Sequence, residues 1–272
     1  MGSEVEFTEL LPFDYKIRRA AAEAKKSGKA SQISIYFRDL ENGPIFGVGQ
    51  DDQFSPASLM KVPMMMATLK EAEKDPALLG RRLLNEPPQL SRSDFGESVL
   101  KRGVEYSVDE LLRAMIAHSD NDSVVTLRTV IGDEPLNEVF RDFGMLIPAV
   151  RSLDDSMSVR EYAAFFRILY NASYLDKAMS QKALEYLAAS QFKNALAAGV
   201  PPGVTVAHKF GERSFEGKKT KQLHDCGIIY HPTKHYVLCV MTRGEDFDAL
   251  SGVIREISSI VYQEVDAVQT KR

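Results

Sequence analysis

The sequence predicts an α+β fold: a sheet assembled from both ends of the chain, flanked by helices, with an all-helical lobe inserted between them. Three observations carry this expectation. Strand-like patterns occur early, at 31–37 and 45–48, and return only late, at 204–210, 223–230 and 236–242. The stretch between them reads almost entirely as helix. No Pro/Gly/Ser-rich linker separates the regions, so they are expected to share one domain. The layout is then an N-terminal extension over 1–13 and a single domain over 14–272, with an α/β lobe at about 14–57 and 200–272 and a helical lobe at about 58–199.

Residues 14–27 read as a helix, because Ile17, Ala20, Ala21 and Ala24 share a face and Gly28 follows its end. The strand at 31–37 puts Ile33, Ile35 and Phe37 on one side. Glu41-Asn42-Gly43 signals a turn, after which 45–48 returns as a second strand. Residues 58–74 form a helix that is apolar nearly all round, through Leu59, Met60, Val62, Met64, Met65, Met66 and Leu69. Such a helix belongs in the centre of a protein. Pro63 is tolerable there because it falls near the first turn. Ser107 with Glu110 makes a capping box that starts a helix through Ala117, and Ser158 with Glu161 makes another leading to Leu169. A further helix is expected from Ser180. The strands at 223–230 and 236–242 form a hairpin joined at His231-Pro232-Thr233-Lys234. Residues 246–265 close the chain as an amphipathic helix with Leu250, Val253, Ile257, Ile260 and Val261 inward.

A chain of 272 residues can bury a substantial core, and 44% hydrophobic with 26% charged residues is ordinary for a globular protein. The net charge of -4 gives no basic excess that would attract nucleic acid. No apolar run approaches the ~20 residues of a membrane span; the longest, at 62–69, is far shorter. The opening Met1-Gly2-Ser3-Glu4 lacks the basic start and apolar stretch of a secretory signal, and Gly2-Ser3 reads as a cloning remnant. If Tyr230 faces His235, the hairpin sets Cys226 opposite Cys239. A cross-strand disulfide is then geometrically conceivable, while two buried free thiols are the default expectation. No cysteine–histidine spacing resembles a zinc site.

Three short motifs carry potential chemistry. Ser58-Leu59-Met60-Lys61 places a hydroxyl and an amine on one helix face at a helix N-terminus. Serine becomes a nucleophile when a base takes its proton, and a lysine of lowered pKa can be that base. Ser-x-x-Lys alone is common, but Lys61 lies inside an otherwise apolar helix, and a buried lysine needs a reason. Ser119-Asp120-Asn121 sits between two helices and by itself reads as a cap and turn. Lys209-Phe210-Gly211 ends a strand, where Gly211 would let a ligand approach the backbone and Lys209 could hold a carboxylate.

Together and in this order, the three motifs resemble those of the penicillin-recognising serine hydrolases, most closely the class A β-lactamases. The stretch Ala195-Leu196-Ala197-Ala198-Gly199-Val200-Pro201 and the later Asp225-Cys226-Gly227-Ile228-Ile229 extend the likeness over about 14–265. The resemblance implies a β-lactamase-like fold and a monomer without metal or organic cofactor. It implies that Ser58 is acylated, that Lys61 takes or relays its proton, and that Ser119 passes a proton to the leaving nitrogen with help from Lys61 and Lys209. Asn121, Lys209, Gly211 and Glu212 would bind substrate, Asn121 by hydrogen-bonding the substrate's amide side chain. The backbone N–H groups of Ser58 and Glu212 would form the oxyanion hole. The implied substrates are β-lactams or D-alanyl-peptide-like cell-wall peptides, and the implied location is extracytoplasmic.

The sequence departs from this family pattern twice. The hydroxyl residue of the third motif is replaced by Phe210, whose ring cannot bind a carboxylate; nearby Arg213 could compensate, but it reads first as a solvated charge. The loop glutamate that serves deacylation has no counterpart, since 142–157 contains no glutamate. Asp154 or Asp155 could deputise, though contacts bracing the loop against Arg151 are the plainer reading. These departures favour a penicillin-binding, D-alanyl-peptidase-like enzyme over an efficient β-lactamase. They leave open a weakly active or non-catalytic binding module. His208, His224, His231 and His235 read as polar strand and turn positions. Met64-Met65-Met66 reads as core, and Lys25, Lys26, Lys218, Lys219 and Lys221 as solvated charges.

Overall fold

The computed structural model describes residues 3–41, 44–87, 95, 98–146 and 155–269. Helix α1 (Ser3–Lys26) leads into β1 (Gln32–Asp39) and β2 (Ile45–Val48). Helix α2 (Lys61–Lys74) follows a short 3-10 turn over Ala57–Met60. Next come β3 (Arg82–Asn85), β4 (Val104–Ser107), α3 (Val108–Ala117), α4 (Asn121–Ile131), α5 (Glu134–Asp142), α6 (Val159–Tyr170) and α7 (Lys177–Ala188). The chain ends with β5 (Val206–Ser214), β6 (Lys221–Tyr230), β7 (His235–Gly244) and α8 (Phe247–Gln269).

Five strands form one antiparallel sheet in the order β2-β1-β7-β6-β5. The two ends of the chain meet at β1 and β7, where Ile35 faces Val240. Both faces of the sheet are covered, which is why β1 is buried nearly throughout rather than on alternate residues. On one face Ile33, Ile35, Phe37, Leu238 and Val240 pack with Ile17 of α1 and with Leu250, Val253, Ile257 and Val261 of α8. On the other, Tyr36, Cys226, Val237, Cys239 and Met241 join the core of the inserted helices. Met64, Met65 and Met66 lie in that second core, all nearly inaccessible to solvent.

Both predicted capping boxes form, at Ser107/Glu110 and Ser158/Glu161. Pro63 is the third residue of α2, within the first turn, so its missing N–H breaks no bond of the helix interior. The hairpin register pairs Tyr230 with His235 and Cys226 with Cys239.

Several expectations are corrected. Cys226 and Cys239 are joined in a disulfide rather than left as free thiols; directly opposed residues on one face of an antiparallel pair bring their Cα atoms to 4.0 Å. Ser180 does not begin α7 but lies inside it, because Asp176 caps the helix by accepting from Met179 N at 2.8 Å. The middle of the chain is not all helix: β3 and β4 form a two-stranded hairpin. Helix α1 begins at Ser3, well before Asp14, and Ser58 lies in the 3-10 turn rather than in the α-helix proper. Of the Glu41-Asn42-Gly43 turn, Asn42 and Gly43 lie outside the described residues, as do Arg151 and Asp154.

Candidate active site

The site is built where the Ala57–Met60 turn, the α3–α4 junction and β5 converge. The turn is fastened from several sides. Leu59 N donates to Pro56 O at 2.9 Å, and the Tyr162 hydroxyl on α6 donates to Leu59 O at 3.0 Å. Ahead of it, Ser55 N donates to Gln222 Oε1 at 3.0 Å, and Ser55 O accepts from His224 Nε2 at 3.0 Å. A carbonyl can only accept, so Nε2 carries the proton, and His224 Nδ1 accepts from Thr242 N at 3.3 Å. His224 is therefore neutral, in keeping with burial that pushes its pKa down to about 4. Ala57 has a φ of 46°, a left-handed conformation unusual for alanine, placed immediately before Ser58.

Gly211 on β5 faces this turn. A Cβ there would lie 3.0 Å from Leu59 Cγ and from Pro56 O, and 3.1 Å from Leu59 N. One group that needs this glycine is the protein's own turn, a contact the sequence had not led us to expect. The bare backbone of β5 lets the Ser58 turn dock against it.

Lys61, the first residue of α2, is only 5% exposed. Its Nζ donates to Ser58 Oγ at 3.1 Å, Ser119 Oγ at 3.0 Å and Asn121 Oδ1 at 2.7 Å, and also to the carbonyl of Ser119. Burial lowers its pKa to about 7, against the opposing pull of Asp120 and Glu212. Ser119 takes a φ of 57°, which turns the junction so that its hydroxyl and carbonyl both face Lys61. Asp120 caps α4 by accepting from Ser123 N at 2.7 Å, and its other oxygen accepts from Ser98 Oγ at 2.6 Å and Val99 N at 3.0 Å. Asn121 opens α4 and spends its carbonyl oxygen on Lys61.

Lys209 on β5 is fully buried. Its Nζ donates to Ser119 Oγ at 2.9 Å and to Phe210 O at 2.8 Å. Burial first, and then the charge of Lys61, hold its pKa well below the usual lysine range. Two buried amines thus share one hydroxyl, and charge on Lys61 disfavours a proton on Lys209. Glu212, next along β5 from Gly211, is close enough to act electrostatically on both lysines.

All seven candidate residues, Ser58, Lys61, Ser119, Asn121, Lys209, Gly211 and Glu212, therefore lie on three adjoining segments. Supporting residues were not anticipated: Tyr162, His224 and Gln222 reach the Ser58 turn from elements distant in sequence. His208 on β5 and His224 on β6 sit on strands as read but are fully buried, and His208 Nδ1 lies 2.7 Å from Asp225 Oδ1. Arg213 is not a solvated charge, since its Nη1 donates to Ser55 Oγ at 2.8 Å. Asp155 braces the sheet, accepting from Gln222 Nε2 at 3.0 Å and pairing with Arg243 at 2.8 Å. Among the described residues, no group of three or more His, Cys, Asp or Glu is placed to hold a metal ion.

Residues 13–265 match the beta-lactamase enzyme family. The beta-lactamase L2 of Stenotrophomonas maltophilia is 30% identical over 142 residues, which is 51% of this chain and 42% of that protein. The matched region thus spans less than half of that relative. A PBP-A mutant solved as its acyl-enzyme complex with penicillin G superposes with a TM-score of 0.78 at 23% identity, covering 95% of this chain and 97% of that one. The TLA-3 extended-spectrum beta-lactamase gives 0.80 at 18% identity, covering 93% and 99%. A beta-lactamase from Sphaerobacter thermophilus gives 0.77 at 21%, covering 92% and 96%. At these identities the structural likeness is one of fold.

Proposed function

The chain belongs to the beta-lactamase enzyme family, and on that premise we propose that it is a serine hydrolase or acyltransferase that forms an acyl-Ser58 intermediate. One observation carries the reading: the Lys61 amine lies within hydrogen-bond reach of Ser58 Oγ and Ser119 Oγ at once, at 3.1 and 3.0 Å, with a pKa lowered to about 7. At neutral pH a substantial fraction of that amine is unprotonated and accepts the Ser58 proton as Oγ attacks a carbonyl carbon. The tetrahedral oxyanion is received by the backbone N–H groups of Ser58 and Glu212. The proton then travels through Ser119 Oγ to the leaving atom, with Lys209 holding that hydroxyl in place. Asn121 and Gly211 complete the substrate-facing side, and no cofactor takes part.

Release of the acyl group is the slow half of the reaction. Residues 142–157 contain no glutamate to activate a water. Asp155 is committed to Gln222 and Arg243. This favours a penicillin-binding, D-alanyl-peptidase-like activity over an efficient β-lactamase. A similarly folded PBP-A mutant has been captured as its penicillin G acyl-enzyme, which supports long-lived acylation of such a site. The cross-strand disulfide suits an oxidising, extracytoplasmic compartment. No helix among the described residues is long and apolar enough to cross a membrane.

The test is to expose the full chain to a fluorescent penicillin, a chromogenic cephalosporin, a D-alanyl peptide and a simple activated ester, recording turnover and intact mass. A stable adduct on Ser58, absent in Ser58→Ala, is the expected result. Fast turnover with an unmodified mass would instead mark an efficient hydrolase. No adduct and no turnover with any of the four would reject the acyl-serine reading. The second reading, a module that traps ligand without turnover, is favoured by the same missing glutamate; it predicts an adduct that never releases.

A further inference from the structure

A lysine nitrogen carries two N–H donors as an amine and three as an ammonium. At Lys209 two of them go to Ser119 Oγ at 2.9 Å and Phe210 O at 2.8 Å. The Phe210 ring covers this nitrogen as well, with its centroid 4.2 Å from Nζ. The side chain of Lys209 is 0% exposed. Of the two lysines that share the Ser119 hydroxyl, Lys209 is therefore the one capped by its neighbour's ring.

That ring is not free to swing aside. Phe210 is 4% exposed and stacks on Phe192 with centroids 4.1 Å apart. Phe95 packs against both, at 6.0 Å from Phe210 and 5.4 Å from Phe192, and reaches Phe247 at 5.1 Å. The other nearby cation, Arg213, donates to Ser55 Oγ at 2.8 Å and lies 4.9 Å from the Phe215 ring centroid. Carboxylates stand near both lysines as well: Asp120 and Glu212 act on Lys61, and Asp225 and Glu212, after Lys61 itself, act on Lys209. An incoming carboxylate would lose its hydration, meet like charge, and find the Lys209 donors already committed.

We infer that the site selects acyl donors whose leaving group carries no carboxylate, such as neutral esters, and lactams or amides whose acid is masked, and that the Phe210 ring enforces this selection. The inference rests on the acyl-serine reading and revises its substrate side: D-alanyl peptides and free-acid penicillins, whose leaving groups carry a carboxylate, become the slower acyl donors. In the step concerned, Ser58 Oγ bonds to the acyl carbon and the bond from that carbon to the leaving oxygen or nitrogen breaks. The Ser58 proton reaches the leaving atom by way of Lys61 and Ser119. Nothing in this transfer needs a charge on the leaving group.

A matched pair tests it: phenylacetylglycyl-D-lactate and its methyl ester, which differ only in the carboxylate. The full chain is mixed with each, and the rate of phenylacetylglycyl adduct formation on Ser58 is followed by intact mass, with p-nitrophenyl acetate as a small neutral control. The methyl ester is expected to acylate wild type at least about tenfold faster than the free acid, about 1.4 kcal/mol of discrimination. Phe210→Thr is expected to shrink or reverse that ratio. A free acid that reacts as fast or faster in wild type overturns the inference while leaving the acyl-serine reading intact. So does labelling by p-nitrophenyl acetate with neither depsipeptide reacting. An unchanged ratio in folded Phe210→Thr removes the ring as the selecting element. If that variant does not fold, the wild-type ratio decides alone. If none of the three compounds labels Ser58, the acyl-serine reading falls, and the inference with it.

Discussion

Gly211 and Leu59 touch where β5 passes beneath the turn that carries Ser58, so closely that a single added methyl at Gly211 would stand 3.0 Å from Leu59 Cγ. The same methyl would stand 3.0 Å from the Pro56 carbonyl, which cannot move without moving the turn. Gly211→Ala is therefore expected to lower the acylation rate at least about tenfold while costing about 1–3 kcal/mol of stability. Adduct formation by intact mass and a urea unfolding curve measure the two effects separately. Unchanged acylation would mean that the turn tolerates displacement.

Lys61 gives the site its pH dependence. Its pKa is lowered to about 7, and the form that accepts the Ser58 proton is the neutral amine. Acylation should rise with pH up to about 7 and level off above it, falling about tenfold per unit on the acid side. A flat profile between pH 5 and 8 would exclude Lys61 as the base.

The same lysine has a cost in stability. Its folded pKa of about 7 lies below the ordinary 10.5, so between those values the unfolded chain binds more protons than the folded one. Stability contributed through Lys61 therefore rises with pH from about 7 to 10.5, and below 7 the burden of the buried charge is fully present. Lys61→Met should abolish acylation yet raise the unfolding midpoint at pH 6, with a smaller gain at pH 10. Equal effects at the two pH values would sink this account.

Tyr162 holds the nucleophile's turn from α6 through its hydrogen bond to Leu59 O. Tyr162→Phe removes that carbonyl's side-chain donor, which should cost about 1 kcal/mol. Acylation should slow as well, because Ser58 loses its fixed position. Loss of stability with an unaltered acylation rate would assign Tyr162 to packing alone.

The disulfide between Cys226 and Cys239 closes a loop with a sequence separation of 13. Replacing both with alanine should lower stability by about 2–4 kcal/mol. Comparing urea midpoints of wild type with and without reductant, alongside the double variant, checks this. Reductant is expected to act slowly, since both sulfurs are buried within the core.

Much of the fold was readable because its signals are local. The capping boxes at Ser107 and Ser158 are complete within four residues, and both formed as read. The Tyr230–His235 turn set the register of β6 and β7, and with it the pairing of Cys226 and Cys239. Whether those thiols join was not local information, because free and bonded cysteines give the same strand pattern. The β3–β4 hairpin escaped notice because Leu84 and Val104 point outward, 50% and 41% exposed, and leave no clean alternation. Helix α7 was entered too late because Asp176, its cap, stands next to Lys177 without a glutamate or glutamine to complete a box.

By itself the sequence determined which groups could do chemistry here: the Ser58–Lys61 spacing, the order of the Ser119-Asp120-Asn121 and Lys209-Phe210-Gly211 motifs, and the apolar helix that buries a lysine. Those are properties of side-chain type and helical period, which are written along the chain. The tertiary structure decided what the groups meet. It brought Lys61 and Lys209 to one hydroxyl, put the Phe210 ring over the Lys209 nitrogen and packed Gly211 against the Ser58 turn. Contacts of that kind join residues up to 169 positions apart, as between Ser55 and His224. No local pattern encodes them, because they exist only once the two ends of the chain have closed into one sheet.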